Sequence, residues 1–303
     1  MRRLARLAAA SEPRLMVISL GLLATACVHP ALKPDPHYVL GDPYKVGALW
    51  YYPKEAFDLN ETGIAAITRN DAARLTTDGE VFDQTALAAA HPTIQLPAIA
   101  RLTNLESGRE VTVRVNDRGC GDPHRLVEVT RRTAVLLGMP AGGVARVRLR
   151  LVPNESHAAA DAVPGAPSLA LSAAPRGGVV IADLPPLPGV RQGNRRALPV
   201  RAVVAREPVT TAPPPMRLPE AVTQTKPQPG KLMVRLDTFD EYQYAAFQRA
   251  RMSWSGAYVI SVFEGRRQRF RVEAGPLPSV AAADALLDKA LASGIPDARI
   301  VVD

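Results

Sequence analysis

Over residues 64–151 apolar and polar positions alternate with a period of two. Val111, Val113 and Val115 alternate with Thr112 and Arg114, and Val147, Leu149 and Leu151 alternate with Arg146, Arg148 and Arg150. Such strands turn one face to a core and the other to water. Residues 101–105 and 111–115 flank Glu106-Ser107-Gly108-Arg109-Glu110, a loop of hairpin length with glycine inside it. Thr130 then opens a helix as its N-cap, Val135, Leu136 and Leu137 supply apolar bulk, and Gly138 stops it. Several short strands with one or two small helices in about 90 residues predict a compact β-barrel.

The last segment repeats itself. Val234-Arg235-Leu236-Asp237-Thr238-Phe239 and Val272-Glu273-Ala274-Gly275-Pro276-Leu277 start 38 residues apart. Each leads into a helix-like stretch, 241–251 or 279–292, that ends near Gly256 or Gly294, and then into a second strand, 258–263 or 298–302. A chain of about 70 residues buries only a small core. The expected solution is one four-stranded sheet with both helices on one face, leaving the other face for a ligand.

Periodicity fades over 152–229 into Ala, Pro, Arg and Gly. Pro185-Pro186-Leu187-Pro188 and Pro213-Pro214-Pro215 favour polyproline II, so this stretch reads as a semi-stiff linker. Ahead of the barrel, 35–57 carries Tyr38, Tyr44, Trp50, Tyr51 and Tyr52 among prolines. That composition suggests an extended arm packed on a neighbouring domain, serving as a flap or stacking on sugar.

At the N-terminus Arg2, Arg3, Arg6 and Arg14 precede an apolar run over 15–23, too short to span a bilayer, which ends in small residues before Cys27. Leu23-Ala24-Thr25-Ala26-Cys27 resembles a bacterial lipoprotein box, which implies lipidation of Cys27.

Composition sharpens this picture only in places. The 303 residues suggest two domains, and about half of the 28 prolines lie between Pro153 and Pro229. Cleavage before Cys27 would remove four arginines and Glu12 and lower the formal charge from +8 to +5. A basic balance often signals nucleic acid, but the export signal points instead to polyanionic surfaces of the envelope. With Cys27 acylated only Cys120 remains, so no internal disulfide is expected. The five histidines lack paired spacing, and no metal or cofactor is expected.

The stretch from Asp78 to Asp117 places carboxylates and an imidazole at element ends, where side chains can converge without disturbing a core. Thr77-Asp78-Gly79-Glu80-Val81-Phe82-Asp83, Leu87-Ala88-Ala89-Ala90-His91, Leu96-Pro97, Thr103-Asn104-Leu105, Gly108-Arg109 and Val113-Arg114-Val115-Asn116-Asp117-Arg118-Gly119 occur in order. Together they resemble the rare lipoprotein A family. The resemblance implies a double-psi β-barrel and a septal lytic transglycosylase that cuts peptidoglycan glycan. Arg271-Val272-Glu273-Ala274-Gly275-Pro276-Leu277 and Asp297-Ala298-Arg299-Ile300-Val301 are similar to a SPOR domain. That likeness implies binding to glycan stripped of stem peptides and recruitment to the septum.

The expected architecture is β plus α+β: a signal peptide at 1–26, a lipidated N-terminus and Tyr/Pro-rich arm at 27–62, and a double-psi barrel at 63–152. A disordered linker at 153–229 and a ferredoxin-like βαββαβ SPOR domain at 230–303 follow. The implied partners are glycan strands, a membrane reached through the lipid (the outer membrane) and division proteins.

Lytic transglycosylation needs a proton for the leaving oxygen and a base for the sugar's own 6-hydroxyl, and one carboxyl can do both in turn. The resemblance puts Asp117 in that role with Glu80 and His91 beside it, and Asn116, Arg118 and Asp83 against the substrate. The residues themselves leave bland alternatives open. Asp117 could also be a turn former, Glu80 a carboxylate paired with Arg118 or Arg74, His91 a satisfied polar side chain, and Arg118 an ion-pair partner. Where the family usually reads Ala-Ser-Trp-Tyr-Gly this chain has Ala65-Ala66-Ile67-Thr68-Arg69, and Trp50, Tyr51 and Tyr52 are the nearby aromatics. The alternative is therefore a wall-binding division scaffold of the same fold without turnover.

Overall fold

The computed structural model describes residues 32–119, 121–141, 143–167 and 217–303. The export segment, Cys27, Cys120 and the proline runs of the linker lie outside the described residues.

Tyr44–Val46 (β1) and Leu49–Tyr51 (β2) form a hairpin. The strands Asn60–Ile67 (β3), Ala88–Ala90 (β4), Ala98–Asn104 (β5), Arg109–Asp117 (β6) and Val127–Val129 (β7) follow. Helix Arg131–Leu137 (α1), strand Val144–Leu151 (β8) and helix Pro153–Asp161 (α2) complete this half. The C-terminal half holds Val222–Gln224 (β9), Leu232–Phe239 (β10), Tyr242–Arg251 (α3), Tyr258–Glu264 (β11), Arg267–Leu277 (β12), Val280–Ala292 (α4) and Arg299–Val302 (β13).

Six strands run in the order β4-β7-β3-β8-β5-β6, and pairing of β6 with β4 closes them into a barrel. β3 lies parallel to β7, and β4 parallel to β6. The other neighbours are antiparallel. This closed mixed barrel is the form that the double-psi expectation requires. Its interior follows the sequence pattern: Val111, Val113 and Val115 of β6 and Ala145, Val147 and Leu149 of β8 are sealed from solvent in one cluster. The arginines between the β8 residues face out. Closure also removes sheet edges, which a six-stranded open sheet would leave exposed. The α1 helix starts and stops where the sequence indicates: the Thr130 side chain accepts from the Thr133 amide, and Gly138 closes the helix in the left-handed region at φ 69°.

The aromatic arm is a strap tied to the barrel. Val39 and Leu96 exchange backbone hydrogen bonds of 2.8 and 2.9 Å, and the Lys54 amide donates to the Thr93 carbonyl at 2.8 Å. The Tyr44 and Tyr51 rings stack with centroids 5.3 Å apart. Their hydroxyls donate to the carbonyls of Pro92 (2.9 Å) and Gly121 (2.8 Å).

Two parts of the stretch expected as linker are regular elements on the barrel. The outward side chain of Ile99 on β5 is fully buried and needs a cover. α2 supplies it with Ala159 and Ala160, while the Ser156 hydroxyl bonds both the amide (3.0 Å) and the carbonyl (2.9 Å) of Ile99. Pro153 suits the first turn of that helix, where its missing N–H is no loss. At the other end β9 pairs with the start of β6, ahead of the residues that β4 covers, with Val222 opposite Val111 and Gln224 opposite Arg109. The reading of 153–229 as one linker is thus corrected at both ends.

The C-terminal half has the sheet order β11-β12-β10-β13, antiparallel throughout. Leu232, Val234 and Leu236 meet Ala245 of α3 and Ala283 and Leu287 of α4 in one cluster, so both helices cover one face as the repeat predicts. This half is docked on the barrel. Ile64 and Leu105 of the barrel share its apolar cluster. The Thr62 hydroxyl donates to the Val302 carbonyl (2.7 Å) and accepts from the Val302 amide (3.1 Å).

Candidate active site

Asp117 ends β6, and the turn from Thr76 to Glu80 sets its surroundings. In that turn the Thr76 amide donates to the Glu80 carbonyl at 2.8 Å, and Gly79 takes φ +83°. A Cβ on Gly79 would lie 2.1 Å from the Asp35 carbonyl oxygen of the strap, so both φ and space call for glycine there. The turn brings Thr77 to Asp117: amide and hydroxyl donate to Oδ1 at 3.1 and 2.8 Å, and the Arg118 amide adds a third bond at 2.9 Å. On the other oxygen, Oδ2, Arg74 forms an ion pair of 2.6 Å. Asp117 is therefore fixed in rotamer by four contacts from protein groups.

The carboxylate opens onto a cleft of about 560 Å³. Ala66, Ile67, Thr68 and Arg69, at and just past the end of β3, form one wall, where the family carries its Trp-Tyr pair. Asp122 and Arg125 line the side leading toward the strap, and Glu128 of β7 also faces the cleft. Asn116 lies with Asp117 along a smaller pocket that also includes Thr68 and Arg74.

Glu80 lies behind Asp117 and is buried. Its Oε1 accepts from Arg114 Nε at 2.7 Å and its Oε2 from Asn116 Nδ2 at 2.8 Å. Next to it Asp78, 1% exposed, accepts from the Thr76 hydroxyl at 2.6 Å, while its Oδ2 has no hydrogen-bond partner. Burial first, and then the negative charge of Glu80, raise the Asp78 carboxyl to about 7. Glu80 thus holds the two side chains flanking Val115 on β6 from inside the fold, and does not line the cleft that Asp117 faces.

His91 adjoins Asp117 through the backbone, its amide donating to the Asp117 carbonyl at 2.9 Å. The imidazole is 3% exposed, and its Nδ1 accepts from the Thr93 amide at 3.2 Å, which places the ring proton on Nε2. Burial, and secondarily the charge of Arg118, lower it to about 3, so the ring is neutral at physiological pH. His91 lines a second cavity beneath the strap rather than the Asp117 cleft.

Arg118, expected to contact substrate, instead turns its guanidinium to backbone carbonyls. It reaches Leu40 at 2.6 Å, His91 at 3.4 Å, and Ile94. Asp83 caps a local turn, accepting from the Thr85 amide (2.8 Å) and hydroxyl (2.7 Å), and pairs with Arg217. Both therefore act on the fold: Arg118 ties the strap to the barrel, and Asp83 anchors the chain that re-enters before β9. The sequence offers Arg74 only as a partner of Glu80, a place that Arg114 takes instead, and gives Thr77, Arg114 and Asp78 no role beyond their place in the motifs. The spacing of Thr77 and Asp117, 40 residues apart, becomes a contact only through barrel closure. Among the described residues no cluster of His, Cys, Asp and Glu has a geometry that would hold a metal ion.

The family model described as lytic transglycolase matches residues 60–149, from β3 to β8. The Pseudomonas aeruginosa protein named endolytic peptidoglycan transglycosylase RlpA is 30% identical over 267 residues, covering 82% of this chain and 74% of its own length. This chain belongs to the rare lipoprotein A (RlpA) family. Two further relatives carry the same name. The one from Rickettsia felis is 32% identical over 136 residues, with 41% of this chain and 60% of its own length covered. The one from Neisseria meningitidis serogroup B is 34% identical over 143 residues, with 46% and 60% covered. The chain thus spans less than two thirds of several of the family members that it matches. Within the family-matched stretch lie Asp117, Thr77, Arg74, Glu80 and His91, all on the barrel.

Proposed function

We propose that the protein is an envelope lytic transglycosylase acting on peptidoglycan glycan stripped of its stem peptides. The observation that carries this reading is a single carboxylate, Asp117, oriented by Thr77, Arg74 and the Arg118 amide at the head of a cleft large enough for sugar rings. In the proposed reaction Asp117 gives its proton to the glycosidic oxygen as the bond to C1 of the muramyl residue breaks. The 6-hydroxyl of that residue attacks C1 on the same ring and returns its proton to Asp117. No water is consumed, and the product ends in a 1,6-anhydro sugar. Arg74 holds Oδ2 in the resting site, so an entering glycan must first draw Arg74 away or bind it through its own oxygens. Glu80, clamped between Arg114 and Asn116, keeps β6 in register behind the carboxylate.

The same reading extends to the rest of the chain. Acylation of Cys27 would anchor the protein in the outer membrane, facing the periplasm. The C-terminal half, read as a SPOR domain, would concentrate it on stripped glycan at the septum, where division proteins are its neighbours. The sequence motifs support these steps, and the relatives' names support the activity on peptidoglycan.

The test is direct. Purified protein incubated with amidase-stripped glycan should release anhydro-ended fragments detectable by mass spectrometry, and Asp117→Asn should lower the rate by about 10²-fold or more. A correctly folded protein that yields no such fragments would favour the second reading, a wall-binding scaffold. That reading has its own observation: the cleft wall at Ala66, Ile67, Thr68 and Arg69 offers no aromatic ring.

A further inference from the structure

A second cavity, of about 370 Å³, lies between the β1–β2 hairpin and the C-terminal half. Asp122 and Arg125 border both this cavity and the Asp117 cleft, so the two adjoin across these side chains. The hairpin divides its aromatic side chains into two kinds. Tyr44 and Tyr51 stack on each other and bind barrel carbonyls. Trp50 and Tyr52 stay 54% and 64% exposed and line the cavity. Two large aromatics exposed side by side on a concave surface offer flat apolar faces to a ligand.

The opposite wall comes from Pro296 and Asp297, just ahead of β13, and from Arg299, its first residue. Arg299 is engaged with Glu61 at 3.3 Å, and Arg125 binds Asp284 through two hydrogen bonds of 2.8 and 3.0 Å. Lys54, also on the lining, makes no ion pair among the described residues.

We infer that this cavity is an outlying saccharide subsite, in which Trp50 and Tyr52 stack on the sugar rings of a strand whose neighbouring units occupy the Asp117 cleft. The inference rests on the proposed function and deepens it. Stripped glycan fits the chemistry: each ring presents an apolar C–H face to an aromatic, and each muramyl residue carries a lactyl carboxylate that Lys54 can pair. The subsite also supplies, next to the cleft, the aromatic surface that the wall at residues 66–69 does not. It makes the C-terminal half part of the subsite, since Arg299 and Pro296 complete the wall.

The experiment uses the full chain carrying Asp117→Asn, so that bound strands stay intact, with amidase-stripped glycan fractionated to tetrasaccharide and octasaccharide. Calorimetry should give an octasaccharide affinity about tenfold above that of the tetrasaccharide, the worth of one or two stacked rings. Adding Trp50→Ala or Tyr52→Ala should remove most of that advantage, and Lys54→Glu should reduce it in a salt-dependent way. A parallel measurement places Trp50 alone in the chain with Trp254→Phe, the protein having two tryptophans. Octasaccharide should then shift its emission, and the substitutions should leave the melting temperature of the free protein unchanged. An octasaccharide without advantage, an advantage untouched by Trp50→Ala and Tyr52→Ala, or an unresponsive Trp50 would overturn the subsite while leaving the cleft reading intact. Failure of both strands to bind would overturn the proposed function, and the subsite with it.

Discussion

At the scale of single residues, three buried ionisable groups surround Asp117 and do different work. Glu80 neutralises Arg114, which is 3% exposed. Removing one charge of such a pair strands the other, so Glu80→Gln should lower unfolding stability by about 3 kcal/mol in denaturant titration. A variant that kept full stability but lost turnover would instead argue for direct participation of Glu80 in chemistry. Asp78 and His91 pull stability in opposite directions with pH. The raised Asp78 carboxyl keeps its proton in the folded protein, so between about 4 and 7 the folded state binds the extra proton and stability falls as pH rises. The lowered His91 does the reverse: between about 3 and 6.5 the unfolded state binds the extra proton, and stability rises with pH. Asp78→Asn should therefore unmask the His91 slope, giving a steeper gain in melting temperature from pH 4 to 6.5 than in the unaltered protein. An unchanged profile would mean that Asp78 is not held protonated.

Among elements, the test case is α2 on β5. Ser156→Ala would leave the Ile99 amide without its hydroxyl partner under the helix, while the Ile99 carbonyl keeps the Val152 amide, a loss of about 1–3 kcal/mol measured by thermal or urea unfolding. That contact also shows where the sequence was legible and where it was not. β6 and β8 could be read because valine and leucine alternate with arginine, a contrast of polarity that the barrel wall imposes directly. α1 was readable from Thr130 and Gly138, whose roles depend on neighbours a few residues away. α2 and β9 escaped because they carry no such contrast. The buried face of α2 consists of Ala159, Ala160 and Ser156, small side chains indistinguishable from linker composition, and β9 is fully exposed, held by backbone pairing and by the Gln224 amide on the Ser107 carbonyl, with no buried side chain of its own. The candidate site follows the same division. Asp117 stands out in a motif, whereas its partners Thr77 and Arg74 are distant in sequence and meet it only when β4 and β6 close the barrel. Arg118 shows the converse: its place beside Asp117 suggests a ligand contact, but the carbonyls of Leu40 in the strap and Ile94 in the barrel take up its donors.

On the scale of the whole molecule, the linker composition suggests two halves acting far apart, and the structure shows them in contact through a mixed interface. Its apolar part is Ile64 and Leu105 against the C-terminal cluster. Its polar part is a latch on the loop that follows Asp117: Arg125 grips Asp284 of α4, and His124 bridges Asp122 at 2.7 Å and Asp288 at 2.8 Å. Burial alone would lower His124, but the hydrogen bonds and charges of Asp122 and Asp288 outweigh it, and the net shift is upward. The sign then follows. The folded, docked state holds the His124 proton more tightly than the free loop does, so this contribution is complete below the ordinary histidine range and is lost as pH rises through the raised value. Interfaces of this polarity within one chain open readily. Docking should therefore weaken from mildly acidic to alkaline pH, seen as faster amide exchange over β13 and α4 and a larger radius of gyration in solution scattering. Asp288→Asn should flatten that dependence, and Asp284→Ala should open the interface at every pH. Because Arg125 and Asp122 line the cleft, opening should also cost affinity for long glycan strands more than for short ones. Scattering and exchange that stay constant across this pH range in both the unaltered protein and Asp284→Ala would show that the apolar contacts alone hold the two halves together.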